Sequence, residues 1–214
     1  MKINIPTKIT IVRIAAVVLL IAFLIVCSLL PWDNAFKTLT LGDSGIYAIN
    51  LIAAVVFILA SATDYLDGHL ARKWNQVTDL GKFLDPIADK MLVNTMLVYL
   101  IIPVGGVGIP WFCVAFMILR DLVVDTLRFV AASKGKVVAA NIFGKMKTVF
   151  QMIAIPFVLL GGWPFTYFDA GWGYGRICLI LIYIATAMSI VSGVIYVKQN
   201  AHVLEEEPKD EPNA

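Results

Sequence analysis

The chain has 214 residues, 60% of them hydrophobic and only 15% charged, with a formal net charge of +2. A soluble domain carries roughly 25% charged residues, so this composition excludes an ordinary water-solvated fold. Nucleic acid is not expected as a partner, and the net charge by itself does not orient the chain in a membrane, because orientation follows the distribution of cations.

In chain order, apolar runs fall at about 9 to 30, 46 to 63 with helix continuing to about 73, 82 to 102, 109 to 132, 146 to 162 and 174 to 197. They match, within a few residues, the roughly 20 needed to cross about 30 Å of hydrocarbon as a helix, and none alternates like a barrel strand. The expected fold is all-α, a polytopic membrane protein with six transmembrane helices, forming one domain over residues 1–204. The tail, 205–214, is acidic, contains Pro208 and Pro212, and is expected to be disordered.

The connections alternate in character. Those near 31 to 45, 103 to 108 and 163 to 173 are rich in Gly, Pro, Trp and Tyr, including Pro31, Trp32, Gly105, Gly106, Trp163 and Trp172, as interfacial turns are. The opposite ends collect cations: Lys2, Lys8 and Arg13, then Arg72, Lys73 and Lys82, then Lys134, Lys136, Lys145 and Lys147. The positive-inside rule makes that face cytoplasmic, and six spans return both termini to it. The expected location is the cell membrane, multi-pass. Cys27, Cys113 and Cys178 show no metal-site spacing and read as packed or lipid-facing thiols.

Of fifteen acidic residues, six lie within or at the ends of these spans: Asp64, Asp67, Asp85, Asp89, Asp121 and Asp125. One charge at a helix centre costs about 3 kcal/mol on insertion scales, so an intramembrane carboxylate points to function. Asp64 and Asp67 are three apart and Asp85 and Asp89 four apart, so each pair projects from one face of its helix. A short connection joins those helices, so the two pairs converge. Four converging carboxylates repel, and divalent cations of the hard type, Mg²⁺ or Mn²⁺, relieve that repulsion. Two such ions about 3.5 to 4 Å apart form a clamp for phosphoryl transfer. The plainer reading pairs the carboxylates with Arg72, Lys73, Lys82 and Lys90 as structural bridges. Gly68 and Gly81 suggest close approach by a backbone or a ligand. Pro86 either begins the third helix after an Asp85 cap or kinks it.

The segments DYLDGHLAR, KWNQVTDL and GKFLDPIAD resemble the signature of the CDP-alcohol phosphotransferase family. All eight fixed positions, Asp64, Asp67, Gly68, Ala71, Arg72, Gly81, Asp85 and Asp89, are filled within 26 residues. The resemblance implies a homodimeric membrane enzyme that takes CDP-diacylglycerol, moves its phosphatidyl group to an alcohol and releases CMP. By position, Asp64, Asp67, Asp85 and Asp89 become ligands of two divalent ions, Mg²⁺ or Mn²⁺. Asp89 and Asp85 are the catalytic candidates, with Asp89 as general base. Gly68, Ala71, Arg72 and Gly81, with Asp64 and Asp67, lie against the CDP moiety.

A second cationic set suggests the acceptor: Arg120 inside the fourth helix, Lys136, and the GKMKTVFQ run with Lys145, Lys147, Thr148 and Gln151. Arg120 needs a counter-charge, which Asp125 is placed to supply and Asp121, on another helix face, is not. With NIPTKITIVRI at the start, these stretches resemble the bacterial branch that uses sn-glycerol 3-phosphate. Arg120, Lys136, Lys145 and Lys147 are therefore expected to bind the acceptor's phosphate. Asn4, Pro6, Thr10 and Arg13 are candidates for the nucleotide end, a snorkelling anchor being the other reading of Arg13. Inositol phosphate or serine as acceptor stays within the same chemistry. An ion-coupled transporter is the rival from another class, but the carboxylates gather at one membrane face instead of continuing through the outer half.

Overall fold

The structure is a computed structural model that describes residues 4–29, 37–41, 44–73, 79–103, 107–135, 141–165, 168 and 176–201, without the side chains of 5–6, 37–41, 44–47, 65–73, 79–80, 82–83 and 176. Six helices follow in chain order: α1 (Ile5–Leu29), α2 (Ala48–Lys73), α3 (Asp79–Tyr99), α4 (Trp111–Ser133), α5 (Ile142–Leu159) and α6 (Arg176–Asn200). Each apolar run in the sequence has its helix. The connection expected as an interfacial turn carries in addition a two-stranded antiparallel ribbon, β1 (Lys37–Leu41) and β2 (Ser44–Tyr47). The acidic tail lies outside the described residues.

Pro86 lies inside α3, which begins at Asp79, so neither Pro86 nor an Asp85 cap starts that helix. Its ring deletes one backbone donor in the middle of the motif. At the end of α5 the chain leaves the helix through Gly161 and Gly162, at φ of 66° and 87°, a region that glycine enters freely. The Gly162 N–H caps the carbonyl of Phe157 at 2.8 Å.

Among the described residues three helical segments, Thr7–Leu29, Ile142–Leu159 and Ile177–Asn200, are long and apolar enough to cross a membrane. The described part of α2, Ala48–Asp64, is a shorter apolar helix, while α3 and α4 carry charges along their length: Asp85, Asp89 and Lys90 on α3, and Arg120, Asp121, Asp125 and Arg128 on α4. The outer surface is apolar, and the largely apolar interior also holds charged and polar groups. Leu19, Leu59, Leu122 and Phe129 are exposed, whereas Thr10, Arg13, Lys147, Gln151, Ser189 and Ser192 are buried. A bundle whose surface is apolar while charged groups are kept inside has lipid for its solvent.

Side-chain pairs fix how the helices run. Arg13, early in α1, meets Asp64, late in α2, while Asn50, early in α2, accepts a 2.9 Å bond from Tyr99 at the end of α3. α2 thus runs antiparallel to both α1 and α3, and α1 and α3 run parallel, with Thr10 early in α1 meeting Asp85 early in α3. Lys147, early in α5, meets Asp121 on α4, and Arg128, late in α4, bonds Tyr196, late in α6. A core of Val17, Leu20, Phe57, Leu92, Met96, Met117, Ile155 and Ile182 fills the middle of the bundle. Ala53, Ala54, Ala154 and Ala185 let the backbones approach closely.

Candidate active site

The charged groups occupy two adjoining regions. In the first, Thr10 and Arg13, three residues apart on one face of α1, reach the motif carboxylates. Thr10 Oγ1 donates to Asp85 Oδ1 at 2.8 Å, and the buried Arg13 forms an ion pair with Asp64. Arg13 is therefore not a snorkelling anchor, because its guanidinium turns inward to a carboxylate. Asp89, one turn beyond Asp85, is half-buried and lies within electrostatic range of both Asp64 and Arg13. It makes no hydrogen bond or ion pair among the described residues. Asp64, Asp85 and Asp89 do not by themselves form a close cluster of three metal donors, and the side chain of Asp67, the fourth expected ligand, lies outside the described residues. So do the surroundings of Gly68 and the side chains of Ala71 and Arg72 on α2, and the whole of Lys136. Gly81 is buried in the first turn of α3.

The second region is a cavity of about 260 Å³ between α3, α4 and α5, lined among others by Asp89, Lys90, Arg120, Asp121, Asp125, Arg128, Asn141, Lys145, Lys147 and Gln151. Asp89 belongs to both regions, so the motif opens directly onto this basic chamber. Asn141 caps α5 through its side-chain oxygen, which accepts from the Phe143 N–H at 3.1 Å. Its Nδ2 is buried without a hydrogen-bond partner among the described residues, a donor at the cavity wall.

Arg120 crosses the bundle inside a seat built by two other helices. A Cβ at Gly144 of α5 would stand 2.8 Å from Arg120 Nη2, and one at Gly193 of α6 would stand 2.9 Å from Arg120 Cγ. Ser192 accepts a hydrogen bond from the guanidinium. Arg128 is aimed from α6 as well: its Nε donates to Tyr196 Oη at 2.9 Å, and its guanidinium carbon lies 5.5 Å from the Tyr196 ring centre.

The counter-charges differ from those expected. Asp121, not Asp125, pairs with Arg120, at 3.0 Å, and it also takes the buried Lys147 on both oxygens at 2.7 and 2.6 Å. Adjacent side chains on a helix do not face each other, but the seat bends the long arginine round to its neighbour. Asp125 pairs instead with Lys90. Lys147 is thus a buried structural cation whose charge is already met, while Lys145 is exposed at the cavity. Sequence reasoning missed Arg128, although its place two turns beyond Arg120 puts both on one face of α4. Ser192, Gly193 and Tyr196 gave no such signal, since their roles depend on α6 packing against α4.

Comparison with known proteins adds to this geometry. A family model described as CDP-alcohol phosphatidyltransferase matches residues 3–195. A Bacillus subtilis protein named CDP-diacylglycerol–glycerol-3-phosphate 3-phosphatidyltransferase is 40% identical over 201 residues, covering 94% of this chain and 97% of its own. Proteins of the same name from Mycoplasma pneumoniae and Haemophilus influenzae are 38% and 35% identical, each over 92% of this chain and over 87% and 94% of their own.

Proposed function

Because the chain belongs to the CDP-alcohol phosphatidyltransferase family, we propose that it transfers the phosphatidyl group of CDP-diacylglycerol to sn-glycerol 3-phosphate and releases CMP. The observation that carries this reading is the double position of Asp89, which stands one turn from Asp85 of the motif on α3 and also lines the basic cavity. A general base must reach the hydroxyl it deprotonates while that hydroxyl faces the phosphorus. Asp89 stands at that junction.

Asp64, Asp67, Asp85 and Asp89 would hold two divalent ions, Mg²⁺ or Mn²⁺. The donors are carboxylate oxygens of the type these ions prefer. The α1 contacts fix Asp64 and Asp85, and the Asp89 carboxylate has no hydrogen-bond or ion-pair partner among the described residues. When bound, such ions supply positive charge against the diphosphate and the transferring phosphoryl group. Gly68, Ala71, Arg72 and Gly81 would receive the CDP moiety.

On the acceptor side, Arg128 and Lys145 line the cavity without a carboxylate partner among the described residues, and Arg120 presents its guanidinium beside them. These groups, with the Asn141 amide and Lys136, would bind the acceptor's phosphate. Lys147 would act through Asp121, by holding it against Arg120. The acceptor hydroxyl then attacks the phosphatidyl phosphorus, its proton passes to Asp89, and the bond to the CMP oxygen breaks. Six helices would span the cell membrane, with the basic face and the site cytoplasmic, residues 1–204 as one domain and the tail free. A homodimer remains part of this reading through the family.

The test is release of CMP from labelled CDP-diacylglycerol by the purified protein with Mg²⁺ or Mn²⁺ in an acceptor screen. Release that depends on sn-glycerol 3-phosphate and stops on chelation is the expected result. Equal rates with inositol phosphate, serine or plain glycerol reject the acceptor assignment.

A further inference from the structure

Among the described residues, five basic side chains, Lys90, Arg120, Arg128, Lys145 and Lys147, line the charged cavity against three carboxylates, Asp89, Asp121 and Asp125, a surplus of two positive charges. That surplus matches a phosphate dianion. The two internal ion pairs are very different in kind. Lys147 and Asp121 have side chains only 4% and 17% exposed, and parting them would strand a buried charge. Lys90 and Asp125 are 35% and 42% exposed and both line the charged cavity, so an anion that enters the cavity reaches that pair directly.

Asp125 also has somewhere to go. A second, more open cavity of about 520 Å³ lies between α3 and α4, walled by Pro86, Ile87, Met91 and Thr95 and sharing Lys90 and Asp125 with the charged one. The Lys90–Asp125 pair is the partition between the two spaces. Rotation of Asp125 toward the second cavity would free Lys90 into the first without disturbing the buried Asp121 pair.

We propose that Asp125 is an internal counter-anion that the acceptor's phosphate displaces, so that Lys90 becomes a phosphate ligand when the acceptor enters. This rests on the reading of the charged cavity as the acceptor site. A phosphate dianion carries more charge than the Asp125 carboxylate and wins Lys90 by exchange. A neutral polyol offers no exchange and meets a closed pair. Asp125 therefore weakens binding of every acceptor but penalises the uncharged ones most, which makes it a specificity-determining residue.

The experiment measures KM for sn-glycerol 3-phosphate and for CDP-diacylglycerol in the wild type, Asp125→Asn, Lys90→Ala and the double variant. Relief of the internal competitor should lower the acceptor KM of Asp125→Asn by at least about fivefold, a modest coupling between sites. Lys90→Ala should raise it about tenfold, the loss of one charge-assisted contact. Asp125→Asn should then have no further effect in the Lys90→Ala background, and the donor KM should stay constant throughout. An acceptor KM that is unchanged or raised in Asp125→Asn overturns the proposal, as does a fall that persists without Lys90. A pair that merely ties α3 to α4 predicts lower thermal stability and lower kcat at constant acceptor KM, and that pattern also overturns it. Wild-type enzyme that ignores sn-glycerol 3-phosphate rejects the function reading itself, a failure visible before any variant is made.

Discussion

At Gly193 the missing side chain is the space that Arg120 occupies. A methyl there would meet Arg120 Cγ, a mid-chain atom with no freedom to swing aside, whereas a methyl at Gly144 would meet Nη2, the far end of a flexible side chain. Gly193→Ala is therefore expected to raise the acceptor KM more than Gly144→Ala, with the donor KM unchanged in both; the reverse order would refute the seat. Arg120→Ala should raise that KM at least about tenfold, and lysine at 120 should restore only part, because an ammonium lacks the guanidinium fork. Among the carboxylates, Asp64→Asn, Asp67→Asn and Asp85→Asn should each leave less than about a tenth of turnover, a barrier increase above roughly 1.4 kcal/mol, in a CMP-release assay. Helical spacing alone puts residues at i, i+3 and i+4 on one face, which is how the sequence singles out the motif carboxylates as candidates. The partner of Arg120 was not, because a helix-surface rule cannot see α5 and α6 bending the side chain toward Asp121.

At the scale of elements, α2 and α3 are tied at opposite ends by different chemistry. One end holds Arg13, Thr10 and the motif carboxylates; the other holds a single Tyr99–Asn50 bond with Asn50 buried. Tyr99→Phe strands a buried amide and should destabilise the detergent-solubilised protein by about 1 to 3 kcal/mol while leaving kcat unchanged. Arg13→Gln should do the opposite, a large loss of turnover with a small change in melting temperature, since it frees Asp64 to move. Parallel losses of stability and activity in both variants would deny the division of labour. All six helices were readable from the apolar runs. The β1–β2 ribbon was not, because a connection read by its Gly, Pro and Trp content reveals a turn without its pairing register. Pro86 was open for a related reason: the helix begins seven residues earlier, in a polar stretch that hydropathy does not mark.

Over the whole molecule, the apolar exterior suits lipid as the solvent, while the proposed orientation rests on the alternation of basic and Gly/Trp-rich connections in the sequence. A cysteine at position 136 should be shielded from a membrane-impermeant reagent in intact cells, and one at 170 should be labelled. The inverse labelling would turn the site to the wrong side of the bilayer. The cavity itself was only half legible. Its basic residues stood out in the sequence, but its depth, its second chamber and its junction at Asp89 arise from contacts between α3, α4 and α5 that no local pattern encodes.

The dependence of Arg120 and Arg128 on Ser192, Gly193 and Tyr196 also bears on biogenesis. A ribosome delivers α6 after the other five helices, so the carboxylate motif is already in the bilayer while both arginines still lack their anchors. A chain arrested before α6 would carry every catalytic carboxylate and yet present a disordered basic wall. On the proposed acceptor site, competence for the acceptor would be gained only once α6 has packed against α4.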